Sequence, residues 1–216
     1  MASSARAFVL RHTRLAPIPG LGGVRLHLAD EVLPLWHALQ VETGDPDAAL
    51  PYWAFAWSGG LAIARYLADH PEAVAGRRVL DFAAGSGLCA IAAARSGAAA
   101  VSAVDIDRFA AAAIPLNARA NGVRVAATAA DLLDDDPPDV EVILAGDVCY
   151  EAALAERVIP WLRHARDRGS TVLIGDPGRR YLPLADLVEL ASYEVRTTTE
   201  LEDLALKRGW VYALAG

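Results

Sequence analysis

Three acidic residues and a glycine pair stand where apolar runs end in this 216-residue chain. The stretch DFAAGSG, residues 81–87, closes the strand-like run RRVL and leads straight into LCAIAAARSG, an alanine-rich helix pattern. Gly85 and Gly87 let the backbone turn tightly and approach a ligand, and the first turn of the following helix offers free N–H groups. A nucleotide-like cofactor fits such a turn. Asp105 ends the next strand pattern twenty residues after Gly85, where a carboxylate can take both hydroxyls of a ribose. GSGLCA also satisfies the dinucleotide pattern Gly-x-Gly-x-x-Ala, so an NAD enzyme has to be weighed. Asp81 opposes it: an acid at the end of the first strand repels a pyrophosphate and attracts the ammonium of S-adenosylmethionine. Asp131 and Leu132, at the end of the third strand pattern, can bind an adenine amino group and cover its face. S-adenosylmethionine is therefore the expected cofactor.

Each of these aspartates, taken alone, could be a helix cap or a turn former. Three of them at the carboxyl ends of consecutive parallel strands mark the rim where open parallel sheets bind ligands. Asp107 is assigned to capping only. Cys149 invites a nucleophile reading, but none of the five histidines lies near it in sequence, and no ligand or triad spacing is present. No metal site is expected. The run DDDPPD, residues 134–139, resembles the Asp-Pro-Pro motif of nucleic-acid amino-methyltransferases, yet it precedes the fourth strand instead of ending it. It reads as a solvated acidic loop.

The elements that must position these residues follow from periodicity. From Arg77 onward, short β-branched runs alternate with alanine-rich helical stretches, the pattern of a parallel sheet with crossover helices. RRVLDFA, AAVSAVDI, VRVAATAAD, VEVILAGDV and STVLIGDP read as strands. Helices are expected between them, with stops at Gly97 and at Asn121-Gly122 and a bend at Pro160. A short helix is expected around Leu184–Leu190, then two strands near Tyr193–Thr199 and Leu206–Leu214 as an antiparallel pair. Residues 1–50 form an N-terminal extension with a short strand and the helix EVLPLWHALQ; residues 51–216 form the domain that carries the chemistry.

The net charge of −7 repels a phosphate backbone, so no nucleic-acid partner is expected. No apolar stretch approaches the roughly 20 residues of a membrane span. Two cysteines far apart write no disulfide framework, and residues 1–29 lack a secretory apolar region, so the cytoplasm is the expected compartment.

The chain resembles the seven-strand, Rossmann-like methyltransferases, and within them the electron transfer flavoprotein β-subunit lysine methyltransferases. The resemblance runs from about Val24 to the end. It is carried by PYWAFAWSGGLAIARYLADHP, DFAAGSG, VDID, LAGDVCYE, which matches an Asp-x-x-Tyr motif, and LIGDPGR. It implies an α/β fold with a seven-stranded, mostly parallel sheet and helices on both faces. It also implies S-adenosylmethionine contacts from Trp57, Ala83 and Ile106 beside the residues above, and an acceptor site formed by Asp147 and Tyr150. Trp53 and Phe55 are expected in the core, and Tyr52 is assigned neither role. Two departures stand out: Ser58 replaces a proline between Trp57 and Gly59, and Ala83 replaces a glycine.

The implied reaction methylates a lysine of a protein, the electron transfer flavoprotein β subunit. A lysine amine has a pKa of about 10.4, so presenting it neutral at pH 7 costs about 4–5 kcal/mol. Asp147 would hold and aim the amine, and Tyr150 would close the channel. Three rivals remain: methylation of a small nitrogen heterocycle such as nicotinamide, a non-catalytic assembly factor that keeps the cofactor, and an NAD-dependent oxidoreductase.

Overall fold

The computed structural model describes residues 2–197 and 206–215. Its chain order is α1 (Ala2–His12), the hairpin β1 (Arg14–Pro17) and β2 (Arg25–Leu28), α2 (Val32–Thr43), α3 (Ser58–Asp69), then β3 (Arg78–Phe82) and α4 (Leu88–Arg95). There follow β4 (Ala100–Asp105), α5 (Arg108–Ala120), β5 (Ala126–Ala129), β6 (Val142–Gly146), α6 (Ala152–Asp167), β7 (Thr171–Asp176), β8 (Leu187–Arg196) and β9 (Leu206–Leu214). Seven strands pair in the order β5-β4-β3-β6-β7-β9-β8, parallel except for β9, which runs antiparallel to both neighbours.

Side-chain alternation explains why helices cover both faces. Val79, Leu144 and Leu173 pack into one cluster with Leu61, Leu67 and Ile91 of α3 and α4, while Leu80, Ile143 and Ile174 pack on Ile159 and Leu162 of α6. A strand buried on both faces has no polar side, so its sequence reads as a continuous apolar run. The order also places the switch between β3 and β4 on one side and β6 on the other, where the chain leaves the sheet in opposite directions. The carboxyl ends of the central strands open there.

The first fifty residues pack against α5. Phe8 of α1 lies 5.0 Å, ring to ring, from Phe109, and Asn117 and Asn121 of α5 accept the backbone N–H groups of His27 and Arg25 in β2 at 2.7 and 2.9 Å. Helix α1 was not anticipated, and the short N-terminal strand proves to be a two-stranded hairpin. The helix expected at Leu184–Leu190 is reduced to a single 3₁₀ turn, Leu184–Asp186, because the chain from Leu187 is taken up in a ladder with β9. The end of the expected Tyr193–Thr199 strand lies outside the described residues. Pro160 sits inside one continuous helix, α6.

Glycines bring the start of α3 close against the face of the sheet. Its first turn touches β7 and β9 so closely that a Cβ on Gly59 would lie 2.2 Å from the Gly175 oxygen of β7, and one on Gly209 of β9 would lie 2.6 Å from the Ser58 oxygen. No other residue type allows this approach. Its consequence is that the amide of Gly60 reaches the end of β6.

Candidate active site

A cleft of about 420 Å³ opens at the carboxyl ends of β3 to β6, within the range that small-molecule sites span. Its floor is the turn after β3. Ala83 and Asp147 are the two non-glycine residues with positive φ among those described, at 52° and 60°, and both line this cleft. A left-handed alanine costs about 1–2 kcal/mol; strain of this kind gathers where backbone must meet a ligand.

Asp105 ends β4 with its carboxylate already oriented. Oδ2 accepts the N–H of Gly85 at 2.7 Å and Oδ1 that of Asp107 at 2.9 Å, leaving further lone pairs for a ligand's hydroxyls. Burial raises its pKa against those hydrogen bonds. Asp107 does cap α5, accepting the Phe109 N–H at 2.7 Å, but it lines the cleft as well, and burial pushes its pKa to about 6. Ile106 stands 73% exposed at the rim. Asp131 and Leu132 form the opposite wall, with Asp131 turned by the Leu133 N–H and paired with Arg157 at 3.3 Å.

Two residues expected on the cofactor stand elsewhere. Asp81 lies one position short of the end of β3, so the alternation that sends Phe82 to the cleft sends Asp81 the other way. It is buried, and its Oδ2 accepts the Ala90 N–H of α4 at 2.8 Å; burial holds its pKa well above the usual carboxylate value. Its carboxyl group therefore ties α4 to β3 from behind the loop by a hydrogen bond, and the electrostatic case against a dinucleotide does not rest on it. Gly87 caps α4 at φ 77°, with Ile114 closed over it. It shapes the turn without lining the cleft.

The other end of the cleft is aromatic and ionic. Tyr52 lies 5.6 Å from Trp57 and 5.5 Å from Tyr150, ring to ring, and the Trp57 indole donates to the Tyr52 carbonyl at 2.9 Å. Tyr52 and Tyr150 are 40% and 45% exposed, so this end is an open mouth. Trp53 is buried as expected and stacks on Phe109, yet it also lines the cleft, and its indole N–H has no acceptor among the described residues.

Below the tyrosines, Asp147 is held on every side. Its N–H donates to the Gly175 carbonyl at 2.8 Å, its Oδ2 accepts the Gly60 N–H at 2.8 Å, and its Oδ1 receives Nη1 of Arg179 at 2.5 Å. Burial raises its pKa, opposed by the Arg179 guanidinium. Arg179 escaped the sequence reading although LIGDPGR was singled out; nothing local told that this arginine folds back to the neighbouring strand. Trp57, Ala83, Gly85, Asp105, Ile106, Asp131, Leu132, Asp147 and Tyr150 thus share one cleft. The strained turn at Ala83, the oriented Asp105 at the end of β4 and the apolar wall of Leu132 and Ile106 fit S-adenosylmethionine.

The profile of the ribosomal protein L11 methyltransferase (PrmA) family matches residues 67–159. A Xenopus laevis protein named electron transfer flavoprotein beta subunit lysine methyltransferase is 36% identical over 220 residues, 98% of this chain and 87% of its own. Its Caenorhabditis elegans homolog is 31% identical over 221 residues, 94% of this chain and 88% of its own. Among solved structures, a T. thermophilus 16S rRNA methyltransferase in complex with AdoMet and guanosine superposes with a TM-score of 0.57 at 19% identity, covering 95% of this chain and 50% of that one. That likeness shows the methyltransferase fold.

Proposed function

The chain belongs to the electron transfer flavoprotein β-subunit lysine methyltransferase family, and from that membership we propose that it methylates a lysine of the electron transfer flavoprotein β subunit, with S-adenosylmethionine as donor. It is a methyltransferase by family and by fold. The observation that carries the finer reading is the pairing, in one cleft, of an oriented Asp105 with a buried Asp147 beneath Tyr52 and Tyr150.

In this proposal the cofactor lies between Trp57, Ala83, Gly85, Asp105, Ile106, Asp131 and Leu132, while Asp81 and Gly87 brace the loop. When bound, it supplies an electrophilic methyl group. Asp105 holds the ribose hydroxyls, and Leu132 with Ile106 covers the base. Asp147 accepts a hydrogen bond from the acceptor amine and sets its line of approach. Rate comes mainly from that orientation. Tyr150, its phenol raised above 10 by burial, stays protonated and donates to the amine's water or closes over the side chain. Two half-exposed tyrosines at the mouth favour a side chain reaching in from a protein over a small ring in a closed aromatic box. The net charge of −7 speaks against a nucleic-acid substrate, and the two free thiols support a reducing, cytoplasmic setting.

The test is incubation with labelled S-adenosylmethionine and recombinant electron transfer flavoprotein, with nicotinamide in a parallel tube. Label is expected on the β subunit and lost with Asp147→Ala, while cofactor affinity stays within a few-fold. Label on nicotinamide alone, or on neither, would discard the lysine reading.

A further inference from the structure

Arg179 bridges two carboxylates at the inner corner of the cleft, and no step described so far uses it. Asp176, at the end of β7, accepts the N–H groups of Gly178 and Arg179 on Oδ1 at 2.8 and 2.6 Å, which curls the chain back towards β6. Its Oδ2 takes Nη1 of Arg179 at 3.2 Å, and the same Nη1 reaches Asp147 Oδ1 at 2.5 Å. The three side chains are 0%, 22% and 10% exposed for Asp176, Arg179 and Asp147. Removing one member of such a buried pair leaves the other charge uncompensated.

The acceptor chemistry gives this clamp a purpose. Transfer forms an N–C bond from the amine's lone pair while the S–C bond breaks with its electron pair kept by sulfur. That lone pair exists only after one proton has left the lysine ammonium for solvent. A carboxylate with no other partner would form a salt bridge with the ammonium and favour its charged form. Two carboxylates, Asp147 and Asp176, flank this corner, and the guanidinium between them offsets one charge. We propose that Arg179 is a positioning residue of methyl transfer: occupying Oδ1 of Asp147, it keeps that carboxylate from closing on the acceptor as a salt bridge, so that Asp147 hydrogen-bonds and aims the neutral amine instead.

The inference rests on the lysine methyltransferase reading. The thiols and phenols around Asp147 stay uncharged through the relevant range. Burial raises the thiols of Cys89, on α4, and Cys149, the latter to about 12, and the phenols of Tyr52 and Tyr150 are raised as well. All stay neutral from pH 6 to 9. Glu151 and Asp105 act on Tyr150 from further off, both raising its phenol.

The experiment compares the pH dependence of kcat for β-subunit methylation in the wild type, Arg179→Gln and Arg179→Lys, with cofactor affinity measured separately by calorimetry. The rising limb of Arg179→Gln is expected to move up by about one pH unit, a roughly tenfold loss near pH 7.5 that alkaline buffer restores. Cofactor affinity stays within about threefold, and Arg179→Lys, which keeps a cation, leaves the midpoint near that of the wild type. A pH-independent loss in Arg179→Gln, a loss explained by cofactor affinity, or a midpoint displaced equally in Arg179→Lys would overturn the proposal while leaving the lysine reading intact. A wild type that binds cofactor but methylates no β subunit at any pH would overturn both.

Discussion

Replacing Gly59 with alanine should separate the close helix–sheet contact from ordinary packing. The new Cβ would fall 2.2 Å from the Gly175 oxygen and 2.7 Å from Asp147 Oδ2. Restoring a normal contact needs a retreat of the α3 end by about 1 Å, an overpacking change that costs about 1–3 kcal/mol. The retreat carries the Gly60 amide away from Asp147 Oδ2, now 2.8 Å distant, and a hydrogen bond to a charged group contributes about 1.5–3 kcal/mol. Together these come to roughly 2.5–6 kcal/mol, or about 5–24 °C in Tm for a chain of this length. Gly60→Ala is the internal control. Its Cβ meets only Cys89 Sγ at 3.7 Å and Leu88 Cδ2 at 4.0 Å, and alanine is the better helix former by about 0.8–1 kcal/mol, so its Tm should equal or exceed the wild type's. Thermal unfolding followed by circular dichroism without cofactor reads both. Variants that melt within about 2 °C of each other, or a Gly60 variant that is the less stable of the two, would refute the claim that Gly59 alone is pinned against the sheet.

Asp107→Asn should stabilise the protein near neutral pH and leave it unchanged in acid. The folded carboxyl titrates at about 6 against a usual 3.8, so its stabilising protonation is complete below the unfolded value and lost as pH rises through 6. Asparagine caps a helix as well as aspartate, and the gain at pH 7.5 should be on the order of 1–2 kcal/mol after solvent screening, vanishing near pH 4; denaturant melts at the two pH values check it. Ala83→Gly, which relieves a φ of 52°, should raise stability by roughly 0.5–1 kcal/mol, since the strain removed exceeds the added unfolded-state entropy; a lower denaturation midpoint would count against a strained turn. Asp105→Ala should weaken S-adenosylmethionine binding by about 10–100-fold in equilibrium titration, and an unchanged affinity would remove Asp105 from the ribose site.

The rim was legible because each strand-end residue announces itself locally. Gly85 and Asp105 follow apolar runs, Asp131 and Leu132 close another, and the chain between them alternates in the way a sheet buried on both faces demands. Asp81 shows the limit of that logic. A strand end read one residue early reverses the face, and a carboxylate expected on the ligand proves to hold α4. Helix α1 was missed because its buried residues, Ala5, Phe8 and Val9, are few among small and basic neighbours, and only the packing of Phe8 against Phe109 gives them a core to enter.

What no local pattern carries is the contact made across the sheet. Gly59 is small because Gly175 lies 116 positions later on β7, and Arg179 matters because β7 neighbours β6, so that a turn after Asp176 delivers a guanidinium to Asp147. The motifs SGG, GDVCY and LIGDPGR are each ambiguous alone, since a glycine pair, an aspartate and an arginine all have ordinary structural uses. Sheet order makes them one device: the glycines let α3 come close enough for Gly60 to hold one oxygen of Asp147, and the β7 turn lets Arg179 hold the other. If Asp147 needed only to be present, either contact could be lost without effect on its pH dependence. A carboxylate fixed at both oxygens is instead one whose charge and direction are both set before the acceptor arrives.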